Sequence, residues 1–277
     1  MTQRFLGGAV IVIGIAVVPG TLTTGVAARQ AQPGTSAQVT PRMADGHPDL
    51  NGLWYRRVPP VPPVQRVGGS IVLNSNAPRD PNTPRFGTDY NPGRPKYKPE
   101  LLAKVKQLDE NQVNEDPALG CGPPGLPRLG PPQRIVQSRR DIAILYEDLN
   151  GNFFRLIPTD GRPHRKDIEE SAHGDSVGHW EGDTLVIEAR NFNEETWLGD
   201  DGLFHSSELR VTERLRRTGD TLTWEAIVED PVVLVEPWKL TPRTLARMTG
   251  VEIEEAAFCQ DRDLSRLKDL THHTNAR

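Results

Sequence analysis

Between residues 134 and 229 the chain alternates apolar and polar positions with the period of a β-strand, and short turn sequences break the pattern. Residues 134–137, 141–148 and 152–158 read as successive strands, with Asn150-Gly151 as a hairpin turn between the last two. Residues 176–180 and 184–190 flank Glu181-Gly-Asp183, where glycine reaches a positive φ without a steric penalty. In 207–217, Leu209, Val211 and Leu215 share one face; in 221–229, Leu222, Trp224 and Val228 do. Gly182-Asp-Thr-Leu185 recurs as Gly219-Asp-Thr-Leu222, two hairpins of similar geometry. Pro231 ends the run, 232–238 offers an edge strand, and beyond Lys239 the signal weakens to a short helix at 264–270.

Upstream, Leu50, Leu53, Trp54 and Tyr55 open a first strand. Leu101, Leu102, Val105 and Leu108 recur at helical spacing behind Pro99, which predicts a helix over 98–114 that covers an edge or an open end. The expected fold is mainly β: an antiparallel barrel or strongly curled meander with long Pro/Gly-rich loops and one or two short helices. A two-sheet sandwich satisfies the same pattern. Closure into a barrel removes exposed edges, which suits an exported monomer.

Arg4 followed by the apolar run 5–18 and by Val26-Ala27-Ala28 has the layout of a cleaved signal peptide over 1–28. A polar linker is expected at 29–44, then a single barrel-like domain at 45–277 with a proline-rich wrapping segment at 58–132. The expected location is periplasmic or secreted, with no membrane association after cleavage. Cys121 and Cys259 are the only cysteines, and in an exported chain an even count predicts a disulfide. With 36% hydrophobic residues, 25 Pro and 25 Gly, the core should be modest and the loops long. A net charge of −4 argues against a nucleic-acid partner.

Gly52-Leu53-Trp54 resembles the Gly-x-Trp signature on the first strand of lipocalin-type barrels. That resemblance implies a calycin-like barrel in which Trp54 closes one end. The chain departs from it at 58–99, where proline and glycine replace the next hairpin. The opening from Asp45 to Trp54, with Trp180-Glu-Gly-Asp-Thr-Leu185 and Asp230-Pro231, is also similar to exported bacterial proteins of unassigned function, which implies no activity.

The densest polar constellation is Asp160, Arg162, His164, His173, Asp175, His179 and His205. One reading is acid–base catalysis at a barrel mouth by His164, Asp175 and His205, with the carboxylate orienting an imidazole. Asp160, Arg162, His173 and His179 would then bind ligand, joined by Trp197 and by Glu213, which lies on the apolar face of its strand. Glu213 can equally be an internal ion pair with Arg155. The histidine spacing matches no zinc pattern, and no phosphate loop, nucleotide fingerprint or haem motif occurs, so no metal or cofactor is expected. The function expected first is binding of a small, largely apolar molecule with a polar or anionic group. An enzyme of lyase, isomerase or hydrolase type acting on such a molecule is the alternative, and a module without a pocket the third.

Overall fold

A computed structural model describes residues 39–56, 65–67, 70–72, 93–255 and 259. The expected signal peptide, most of the linker, much of the proline-rich stretch and the 264–270 helix lie outside the described residues. The elements in chain order are β1 (Gly52–Arg56), β2 (Gln65–Val67), β3 (Ser70–Val72), α1 (Leu102–Glu110), α2 (Gln112–Glu115), β4 (Arg134–Gln137), β5 (Asp141–Asp148), β6 (Gly151–Pro158), β7 (Asp175–Glu181), β8 (Thr184–Arg190), β9 (Arg210–Thr218), β10 (Thr221–Glu229), β11 (Trp238–Lys239) and β12 (Arg243–Met248). The helix expected at 98–114 is present as a 3₁₀ turn at Pro99–Leu101 followed by α1 and α2, with a break at Asn111.

Nine strands form a nearly closed antiparallel barrel in the order β6-β5-β4-β1-β12-β10-β9-β8-β7. The β2–β3 hairpin is a separate sheet, and β11 pairs with β10 off this path. Without these three, each strand lies beside its successor in the chain, and β1 meets β12 through Leu53↔Met248 to Arg56↔Leu245. The remaining gap is between β6 and β7. Each ladder on the path reverses the strand direction, and the path from β6 to β7 crosses an even number of them. The two strands at the gap therefore run parallel. Contacts agree: His173 packs edge-on to Phe153 at 5.3 Å, Arg155 bonds Ser176 at 3.0 Å, and a Cβ built on Gly178 would touch Ile157 and Thr159. Parallel neighbours cannot be joined by a tight turn. Residues 159–174 therefore return from the end of β6 to the far end of the barrel before β7 begins.

β12 was not expected from the sequence. Of its six residues only Leu245 is buried, and Leu, Ala, Arg and Met favour helix, so its strand form comes from the two neighbours that flank it, β1 and β10. Of the expected edge strand at 232–238 only Trp238 is in a strand, the first residue of the two-residue β11. The Asp230 carboxylate accepts the backbone N–H groups of Val232 and Val233 and holds that stretch in a turn.

One end of the barrel is plugged by Trp54, which is fully buried and donates its indole N–H to the Leu50 carbonyl at 2.9 Å. The Arg217 guanidinium lies 5.3 Å from the Trp54 ring centroid and donates to the Gly219 and Asp49 carbonyls. Order at this floor begins ahead of Asp45: Thr40 Oγ1 accepts from the Gly219 N–H, and Arg42 pairs with Asp183 at 2.8 Å. The other end is the mouth. There α1 lays Val105 on the core, the Lys104 ammonium sits 3.9 Å from the Phe204 ring centroid, and the Tyr97 hydroxyl donates to the Phe204 carbonyl. Cys121 and Cys259 form the expected disulfide, with Cα atoms 5.4 Å apart. Among the described residues no helix is long and apolar enough to cross a membrane.

Candidate functional site

At the mouth the start of β7, the end of β8 and the entry to β9 meet the returning segment 159–174. Asp175 opens β7 and is buried, and a buried carboxylate must find donors. Arg165 supplies its backbone N–H at 3.0 Å and its Nε at 2.7 Å. His164 places Nδ1 3.0 Å from Asp175 Oδ2. Burial pushes the Asp175 carboxyl up, and the hydrogen bonds from Arg165 and His164 more than offset it, so it ionises below the usual carboxylate range. A carboxylate only accepts, so Nδ1 of His164 carries the proton, and in the neutral ring Nε2 keeps its lone pair. Among the described residues Nε2 has no hydrogen-bond partner.

This pair borders a cleft of about 410 Å³. Pro163, Lys166 and Glu170 line it from the returning segment, Arg190 and Asn191 from the end of β8, and Ser207 to Arg210 from the entry to β9. Lys166, Arg190 and Arg210 make no ion pair among the described residues. The cleft thus joins three cations outside any ion pair, two carboxylates likewise outside any ion pair among the described residues (Glu170 and Glu208), an imidazole held by a carboxylate, and a small apolar wall from Pro163 and Leu209.

Of the residues singled out from the sequence, His164 and Asp175 come together here. Asp160 and Arg162 face each other instead, at 2.8 and 2.7 Å, in an exposed ion pair outside the cleft lining. Those hydrogen bonds from Arg162 hold the Asp160 carboxyl at about 2. His179 is exposed on β7, with Nε2 3.4 Å from Glu181. His205 is buried and satisfied at both nitrogens, with Nε2 2.8 Å from Thr196 Oγ1 and Nδ1 donating to the Ser206 carbonyl at 2.9 Å. It does not join the His164–Asp175 pair. Trp197 is buried in the core and bridges to Phe204.

Glu213 and His173 belong to the barrel interior. Glu213 accepts from Arg155 Nη1 at 2.5 Å and from Trp224 Nε1 at 2.9 Å. Arg155 also donates to the Tyr146 hydroxyl at 3.2 Å and to Ser176. This is the internal ion pair that an inward Glu213 required. Burial drives the Tyr146 hydroxyl up to about 12. His173 sits beside this network, and burial, reinforced by the Arg155 charge, pulls its imidazole down to about 4. Trp54, Trp224, Tyr146 and the ion pair occupy the interior between them.

The residues of the cleft's cationic set that sequence reasoning passed over are Arg165, Lys166, Arg190 and Arg210. Arg165 follows His164 directly, which is a local signal, whereas Arg190 and Arg210 become neighbours only because β8 and β9 are antiparallel. Among the described residues no group of three or more His, Cys, Asp or Glu is placed to hold a metal ion. No family model matches the chain, and no curated protein matches it.

Proposed function

We propose that this chain is an exported barrel protein that binds a small molecule through an anionic group at the mouth cleft. The observation that carries this reading is the convergence around one opening of Lys166, Arg190 and Arg210, which make no ion pair among the described residues and outnumber the lining carboxylates Glu170 and Glu208. Unpaired guanidinium groups favour carboxylate or phosphate oxygens, with each charge-assisted hydrogen bond contributing about 1.5–3 kcal/mol. The mouth, rather than the interior, takes the ligand because large side chains and the Arg155–Glu213 pair fill the barrel. The Cys121–Cys259 bond and the Trp54 plug support an exported, lipocalin-like barrel.

A second reading rests on His164. Its Nδ1 is held by Asp175 and its Nε2 is unpartnered beside the cleft, the arrangement of a general base. Calorimetric titration with octanoate, a carboxylate with an apolar tail, and with inorganic phosphate tests both readings. Binding weakened at least tenfold in Arg190→Gln/Arg210→Gln supports the site. Unchanged affinity in that variant, or no binding of either anion, refutes it. If the cleft is catalytic, His164→Gln abolishes turnover of a bound compound while its affinity stays within about tenfold.

A further inference from the structure

The outer face of β4, β5 and β6 is apolar where an outward barrel face is usually polar. Cross-strand pairing sets Val136, Ala143 and Leu156 in one row and Arg134, Leu145 and Phe154 in the next. Phe154 is 72%, Leu156 60% and Val136 49% exposed, so these side chains form a patch rather than isolated apolar residues. The two ends of the patch carry opposite charge. On the floor side the β4–β5 turn exposes Arg139 and Arg140. On the mouth side the segment after β12 crosses the face, where Glu252 pairs with Arg134 at 2.6 Å and the Glu254 carbonyl accepts from Asn152 at 2.9 Å. Glu254 and Glu255 are exposed there. Among the described residues Arg139, Arg140, Glu254 and Glu255 make no ion pair.

We propose that this face is the interface of a symmetric homodimer. A two-fold axis lying in the plane of the contact, running along the rows and midway between them, turns the second copy face to face and lays each row on the other row of that copy. The same rotation brings Arg139 and Arg140 of one copy to Glu254 and Glu255 of the other, twice. An isologous contact needs such self-complementarity. A membrane surface does not fit, because anionic lipid would repel the acidic end. The dimer departs from the monomer expected on sequence grounds, and it stands apart from the mouth cleft.

Analytical ultracentrifugation of the oxidised full chain across a concentration series tests this. The wild type should dimerise, and Phe154→Asp should raise the dissociation constant roughly thirtyfold or more, as loss of a central aromatic anchor does. Circular dichroism should be unchanged, since the side chain points outward. Arg139→Glu/Arg140→Glu and Glu254→Lys/Glu255→Lys should each be monomeric alone, and their equimolar mixture should recover dimers of one chain of each kind. A monomeric wild type at every concentration, a dimer indifferent to Phe154→Asp, or a mixture that stays monomeric overturns the proposal.

Discussion

Replacing Arg155 with methionine strands the Glu213 carboxylate inside the barrel with the Trp224 indole N–H as its remaining donor from the described network. Both partners of the pair are almost fully buried. Removing one member of such a pair costs about 3–5 kcal/mol, because an uncompensated charge stays in a poorly polarisable interior. Glu213→Leu leaves the guanidinium equally stranded. It also takes the acceptor from Trp224, a further loss of about 1–3 kcal/mol. The double variant Arg155→Met/Glu213→Leu contains neither charge. Its loss reduces to the unmet Trp224 N–H and the hydroxyls of Tyr146 and Ser176, about 1–3 kcal/mol for each that water cannot reach, and the two hydroxyls are stranded equally in Arg155→Met alone. The double variant should therefore be no less stable than either single one, and the two changes should couple by about 4 kcal/mol or more. Urea unfolding at pH 7 under oxidising conditions, with the four proteins compared at a common denaturant slope, gives the cycle. Additivity within about 0.5 kcal/mol would show that the two side chains act independently and that the buried pair is misread.

Two further outcomes are expected. Trp54→Ala should lose about 3–5 kcal/mol, since the ring fills the floor and Arg217 packs on it; a loss near the surface range of about 0.5 kcal/mol in the same urea assay would remove its role as plug. His173 has its folded-state pKa lowered from 6.5 to about 4, so the unfolded chain takes up a proton that the fold refuses. That stabilisation is full above pH 6.5 and is lost as pH falls toward 4, by on the order of 3 kcal/mol. His173→Gln should lose correspondingly less stability than wild type between pH 7 and pH 4, and equal losses would contradict the burial of this imidazole.

The strands from β4 to β10 were legible because alternation and turn chemistry agree there with the tertiary role of each residue. Glu213 announced its partner for the same reason: a carboxylate between Val211 and Leu215 has to be neutralised, and Arg155 occupies the matching inward position on β6. β12 was illegible because its fate is decided by β1 and β10, which are distant in sequence. The site was half legible. The His164–Asp175 pair could be read from proximity along the chain, but His173 and His205 look the same as His164 in the sequence. What separates them is burial. His173 turns inward against Phe153, and His205 has both nitrogens engaged by Thr196 and Ser206. The sequence pattern fixed the strands around Asp160 and Arg162, but not that the two would neutralise each other within one turn.

The place of β1 in the ring bears on how the chain matures. Its neighbours are β4 and β12, so the stretch opening with Gly52 needs a partner, near Met248, that is synthesised long after it and after every other strand of the ring. From the moment it emerges until β12 arrives, β1 offers Leu53 and Trp54 and a row of unpaired backbone groups to any passing chain. During biogenesis the tryptophan that later seals the floor is thus an open adhesive, and a holding chaperone that shields this segment would guard the step at which the barrel is most exposed to aggregation.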